Sequence, residues 1–339
     1  MGDRYGKLRV MLGALTGYSL FNLACAFATN LPALTVLRAC AGASSAGLIP
    51  ICLAYIGDWV PYSLRQVTLS RFLTGVVLAQ SLAGPIAGVF SDSVGWRGVF
   101  VLLSAGGAAL AVLLAGRLRT LPDRTGVAGF HWHRYAALAR PPYARTLLLL
   151  TFLEGIAFPG FFPFVAPYLA HVFDLSYGRV GLVLAAFGIG AYAYTKGAAQ
   201  LIARLGEARQ ILLGGLVIAA AVAGGTVAGH WQGFVLVQVS IGFGYFALHT
   251  VMQARSTELL PEARSTAVSS FVFCLFCGQA VGALLFGRAI AAWGYQTTFL
   301  INAGVIAALT VVLALFIGRS PQHAVGGDGS LANRSRQSP

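Results

Sequence analysis

The chain has 339 residues, 57% of them hydrophobic and only 10% charged, with a mean hydropathy of +0.76. A soluble domain of this size carries about a quarter charged residues, so the composition excludes one. The net charge of +13 would suit nucleic acid, but the basic residues sit in short segments between apolar runs, which excludes that partner.

Ten apolar runs recur, near 10–29, 33–54, 70–90, 98–116, 146–170, 178–202, 211–229, 233–254, 267–291 and 297–317. Each is about twenty residues long, enough for a helix to cross ~30 Å of hydrocarbon. The ten-residue alternating strands of a porin barrel are not visible. The expected fold is an all-α membrane protein of about ten crossings. If residues 1–9 are cytoplasmic, every second loop is too. Only Arg97, Arg179 and Arg288 then fall on the far side, with Arg38 and Lys196 inside spans. This is the positive-inside pattern. It predicts a plasma (bacterial inner) membrane location with both termini cytoplasmic. No cleavable signal sequence is visible at the N-terminus. Cys25, Cys40, Cys52, Cys274 and Cys277 lie in apolar runs and read as packing residues.

In chain order, Gly2 to Arg9 form a basic turn before the first span. The outer turn Asn30-Leu31-Pro32 joins it to the second, and Arg38 lies about five residues into that one. Arg38 either snorkels to the interface or faces inward as a cation on a polar pathway. The third span carries Gln80 and then Gly84-Pro85-Ile86-Ala87-Gly88, a proline flanked by glycines. That pattern is either a structural kink or a helix that seals and bends during transport. Residues 117–145 are the longest polar stretch and read as a cytoplasmic linker, with room for an amphipathic surface helix. His131 and His133 within it lack a third ligand, so no metal is expected.

The next span is the most unusual. Glu154 lies roughly 13 Å into the bilayer at 1.5 Å per residue. Pro159, Pro163 and Pro167 follow, among Phe158, Phe161, Phe162 and Phe164. A buried acid is costly unless neutralised, paired or hydrated. Irregular backbone is tolerated only against protein or a wet cavity. The pattern favours a cavity here, with Phe158 and Phe161 as walls for flat apolar ligands, over aromatics that face lipid or core. Lys196 comes at a similar depth and predicts an ion pair with Glu154, either structural or broken by protonation. His249 is either a hydrogen-bonded structural residue or a group that titrates near neutral pH. Gln279 repeats the Gln80 region without its proline, and residues 319–339 read as a polar, disordered cytoplasmic tail.

The chain also repeats itself. Arg4, Gly6, Arg9 and Leu12 recur as Arg204, Gly206, Arg209 and Leu212. Arg65, Gln80 and Gly88 recur as Arg264, Gln279 and Gly287. Two matches at nearly one offset indicate a duplicated half. The expected domains are a four-helix bundle over 1–116, the linker 117–145, a six-helix bundle over 146–318 and the tail.

These residues resemble the major facilitator superfamily, most closely its bacterial drug- and sugar-efflux branch. Asp3-Arg4-Tyr5-Gly6-Lys7-Leu8-Arg9 is similar to the family's signature between its second and third helices. Arg38-Ala39-Cys40-Ala41-Gly42 is similar to the fourth-helix signature, with Ala41 where Gln is usual. Gly84-Pro85-Ile86-Ala87-Gly88 is similar to the core of the fifth-helix antiporter signature, without its full glycine ladder. The resemblance implies two six-helix bundles rocking about a midplane cavity, and here a first bundle without its opening two helices. It also implies a conformational switch at Asp3, Arg4, Gly6 and Arg9, a proton-linked role for Arg38, and a bending element at Gly84, Pro85 and Gly88. The second basic turn departs from the pattern, with Ala203 in place of the acid. The expected function is proton-coupled efflux of small amphipathic molecules, drugs or sugars, by a monomer that needs only its substrate, protons and the lipid bilayer. Glu154, Arg38, Lys196, His249, Gln80, Gln279, Phe158 and Phe161 are the expected cavity or proton-coupling residues. The alternative is a non-transporting fragment of such a carrier. No cofactor and no enzyme chemistry are expected, since no nucleophile–base set or H-E-x-x-H cluster is present.

Overall fold

The computed structural model describes residues 6–118, 120–122, 138, 140–260 and 264–319. Every element among them is helical, as a bilayer demands of a chain that must satisfy its own backbone. We number them α1 (Lys7–Ala26), α2 (Leu31–Ser45), α3 (Leu48–Trp59), α4 (Tyr62–Val94), α5 (Trp96–Arg117), α6 (Pro142–Ala157), α7 (Val165–Val172), α8 (Tyr177–Thr226), α9 (Gly233–Ser256) and α10 (Arg264–Arg319). Local signals set the ends. Asn30 caps α2 by accepting from the Ala33 N–H at 2.8 Å. Pro142 opens α6 at a position where a missing N–H costs nothing.

Among the described residues, seven helical stretches are long and apolar enough to cross a membrane. Two of them, α8 and α10, each turn on one glycine and hold two crossings, and α4 supplies one more, ten in all. The turn in α8 is at Gly206 (φ 69°) and that in α10 at Gly294 (φ 76°). Contacts show that each doubles back. Tyr194 before the α8 turn hydrogen-bonds Gln210 after it, and Phe161 packs on both Phe286 and Phe299, which flank the α10 turn. The positive-φ glycines come in two pairs one repeat apart, Gly6 with Gly206 and Gly95 with Gly294. The duplication read in the sequence is therefore also a duplication of backbone corners that only glycine adopts cheaply. A second echo is electrostatic. Lys7 pairs with Asp58, and Glu207 pairs with Arg255, the same corner with acid and base exchanged.

Helices meet through small residues. A Cβ added to Gly155, Gly278 or Gly282 would collide with the backbone of α10 or α6, so these two helices touch main chain to main chain. Gly214 and Gly244 do the same between α8 and α9. The largest buried cluster lies in the second half, around Phe161, Tyr168, Ile218, Phe234 and Phe299. Phe161, expected to line a cavity, is 1% exposed and is a core residue. It sits edge-on to Phe286 and Phe299, and that packing is what removes it from the cavity wall.

The prolines break the fifth crossing as expected. α6 stops at Ala157, a 3-10 turn covers Phe162–Phe164, and α7 resumes at Val165. The Phe161 N–H bonds to Phe158, which leaves the Ala157 carbonyl without a helical donor. Asn302 of α10, fully buried, donates its Nδ2 to that carbonyl at 3.0 Å. Asn302→Leu should therefore destabilise the protein by about 1–3 kcal/mol, the cost of a buried acceptor left empty. Thermal unfolding in detergent measures it, with Gly224→Ala, where a Cβ meets nothing within 4 Å, as the neutral control.

Candidate functional site

A cavity of about 440 Å³ opens where the two halves meet. Ala83 and Gly84 of α4 form one wall. Phe158, Phe162, Phe187, Tyr245 and Phe246 form most of the other, with Gln279 of α10 adding an amide. The cavity exists because the proline-broken turn pushes Phe158 and Phe162 off the helix axis, and because Gly188 and Ala191 of α8 leave space opposite. Among the described residues its polar side chains are Tyr245 and Gln279. Such a mostly apolar lining with sparse polar groups suits a small, flat molecule.

Directly behind this wall lies the buried acid. Glu154 is 3% exposed, and its Oε1 is 2.7 Å from His249 Nδ1. Its other oxygen, Oε2, is buried with no partner among the described residues. His249 stacks on Tyr245 at 4.9 Å between ring centroids, and Tyr245 stacks on Phe158 at 4.3 Å. Acid, imidazole, phenol and phenyl thus form one continuous stack, and its last two rings face the cavity. Tyr245 and His249 are one turn apart on α9 and share a face, which is why they meet. Phe271 closes the far side of the imidazole at 5.5 Å.

The ion pair expected between Glu154 and Lys196 does not form. On α8 the residue turned toward α9 is Tyr194, whose hydroxyl meets Thr250 at 2.8 Å and Gln210 at 2.8 Å. Lys196 is two residues on, about 200° around the helix. It is exposed, with its ammonium 5.4 Å from the centre of the Tyr192 ring. Arg38 is exposed as well; it donates to the buried Asn22 at 3.2 Å and lies 5.7 Å from the Phe100 ring. It is thus held within the first half, away from Glu154. Gln279 reaches the cavity; Gln80 falls on α4, with its side chain outside the described residues.

Of the residues expected to act as a switch, Asp3 and Arg4 lie outside the described residues. Gly6 takes φ 92° at the start of α1, and Arg9 is exposed on that helix. Gly84, Pro85 and Gly88 lie on α4 against the opening turns of α8. A Cβ at Gly88 would strike the Tyr177 carbonyl, and one at Gly181 would strike that of Gly84. The glycines around Pro85 are therefore contact residues between the halves. Among the described residues no group of three or more His, Cys, Asp or Glu could hold a metal ion. The sequence reading missed Tyr245, although its four-residue spacing from His249 was there to be read. It also missed Asn302, for which no local signal exists.

A family model described as Major Facilitator Superfamily matches residues 1–224 and 147–335. The chain belongs to the major facilitator superfamily. Its fold is like that of the nucleoside transporter NupG, whose crystal structure in a mutant form matches with a TM-score of 0.74 at 15% identity over 93% of this chain and 85% of that one. Among sequences, it is 23% identical to the uncharacterized MFS-type transporter YwfA of Bacillus subtilis over 93% of this chain and 77% of that protein. It is 34% identical to the gallate transporter of Pseudomonas putida over 111 residues, 33% of this chain and 24% of that protein. The chain is thus a multi-pass membrane transporter of the secondary type, and small solutes are its cargo.

Removing the imidazole should leave Glu154 buried and unpaired. His249→Ala is expected to cost about 3–5 kcal/mol, and much less when Glu154→Gln is already present. Thermal unfolding of both singles and the double gives the coupling. Additive losses would mean that the pair contributes nothing beyond its separate residues.

Proposed function

We propose that this superfamily member is a proton-linked exporter of small, flat aromatic solutes, working by alternating access. The observation that supports this most is the stack from Glu154 through His249 and Tyr245 to Phe158, which joins a buried acid to the cavity wall. A charged Glu154–His249 pair and its proton-loaded form differ in charge and in hydrogen bonding. One proton on Glu154 Oε2 changes the pull on the ring, and the stack passes that change to Tyr245. Solute and proton thereby act on one set of side chains, which is the differential interaction that coupling requires.

The aromatic lining supports the substrate class. A ring slid between Phe158, Phe187 and Tyr245 would gain offset stacking of about 0.5–1.5 kcal/mol per ring pair beyond simple burial. A carboxylated aromatic is favoured over a sugar. Gly181, Ala185, Gly188, Tyr192 and Lys196 follow one strip of α8, of which Ala185 and Gly188 line the cavity. Lys196 stands farther along that strip as a cation for the acid group, and a relative is named for gallate. Export as the direction rests on the likeness of Gly84-Pro85-Ile86-Ala87-Gly88 to the antiporter signature.

The test is transport by the full chain in liposomes carrying an imposed pH gradient, with radiolabelled gallate as probe. Gradient-driven movement is expected, and Glu154→Gln should abolish the response to the gradient while gallate still binds. A Glu154→Gln protein that keeps its pH response removes Glu154 from the mechanism. Tyr245→Ala should weaken gallate binding about tenfold, the equivalent of roughly 1.4 kcal/mol. Lys196→Gln should weaken binding of gallate but not of its uncharged methyl ester. Equal losses for both would remove Lys196 from acid recognition.

A further inference from the structure

Above the cavity the two halves are joined by a feature that neither the sequence motifs nor the transport chemistry accounts for. α4 ends beside the start of α8, and Asp92 in its last turn reaches across. Its Oδ1 accepts from the Tyr177 N–H at 2.8 Å and its Oδ2 from the Gly178 N–H at 2.6 Å. These are first-turn donors of a long helix, which have no partner inside it. Ser176 already serves the next donor, Arg179 N–H, at 3.4 Å. The carboxylate thus completes the cap of a helix that belongs to the other half, at its positive end. Below Asp92 the contact continues as backbone on backbone, Gly88 against Tyr177 and Gly178, then Gly84 against Gly181. Gly84 also lines the cavity. Eight residues of helix, ~12 Å, separate it from Asp92. A single seam therefore runs from the cavity roof to the end of the molecule.

We propose that Asp92 is the latch of this mouth. It holds the α4–α8 seam shut in the state described and releases when the cavity opens at this end. The chemistry suits a reversible gate. Asp92 and Tyr177 are exposed at the helix ends, and the bond to the buried Gly178 N–H is itself part-buried. The Asp92 carboxylate and the Tyr177 N–H are rehydrated as they part, unlike Glu154, which is 3% exposed. The bonds are charge-assisted, so they favour the closed state, while solvent keeps the bias modest. Gly178 is part of the device. A Cβ there would lie 2.9 Å from Asp92 Oδ2 and push the carboxylate away. The inference rests on the chain's being a superfamily transporter, and not on its cargo or its coupling ion.

The test is a pair of spin-label distances in the full chain in lipid nanodiscs, with native cysteines replaced by serine. Labels at Val94→Cys and Val172→Cys report the Asp92 end, and labels at Leu64→Cys and Ile202→Cys the opposite end. All four positions are exposed. Asp92→Ala is expected to raise the ratio of separated to closed molecules at the Asp92 end by roughly tenfold, and to shorten the distance at the other end. Asp92→Asn, which keeps an acceptor without the charge, should fall between. Gly88→Val should open the same end by sterics alone. Unchanged distributions in Asp92→Ala would overturn the latch, and so would broadening at both ends together, the mark of a loosened fold. No substrate enters the measurement, so failure of gallate transport leaves this result readable.

Discussion

Close approach of bare backbone is the constraint on which this structure depends. Hydrocarbon solvates leucine as well as another helix does, so burial of apolar surface cannot drive the helices together. What remains is dispersion between closely fitted atoms, and that grows steeply as axes approach. Gly155 with Gly278, Gly160 with Gly282, Gly214 with Gly244 and Gly84 with Gly181 provide that approach. The last pair differs from the others. It joins the halves, and a transporter must be able to part them. The same kind of contact thus serves both as permanent joint and as moving seam, and the polar group placed beside it makes the difference.

Two of the polar groups buried among the described residues have a clear physical role. Asn302 fills the acceptor that the proline-broken crossing leaves open. The break in turn aims Phe158 and Phe162 into the cavity. Glu154 would be intolerable alone, yet the imidazole of His249 satisfies only one of its oxygens. A partly satisfied buried polar pair carries a large energetic stake in its surroundings. Tyr245, stacked on the imidazole and on Phe158, joins that pair to the cavity wall.

Much of this architecture was legible in the residues. Run length and charge placement read as ten crossings because the bilayer imposes both. The repeat was legible because the glycines that turn the chain, Gly6 and Gly206, sit at the same place in each copy. The broken crossing was legible because Pro159 and Pro163 fall mid-run, where each removes a backbone donor and crowds the preceding turn. The partner of Glu154 was not. Depth along the chain pointed to Lys196, and only the rotation of α8 about its axis, with Tyr194 packing on α9, turns that residue away. Phe161 and Phe158 are likewise three residues apart in one motif, yet one is core and the other wall. Side-chain direction after a helix break is not a periodic quantity, and so no spacing rule recovers it. Asp92 carried no motif because its role depends on a helix start 85 residues away.

The reversed ion pairs bear on how the chain assembles. Two copies of one ancestral unit, inserted one after the other in the same membrane, share the same glycine corners and could pair with the wrong sibling. Lys7 faces Asp58 in one copy and Glu207 faces Arg255 in the other. A swapped arrangement would set Lys7 against Arg255 and Asp58 against Glu207, repulsive on both counts. Opposite polarity at a shared corner thus disfavours a swapped pairing of the two copies.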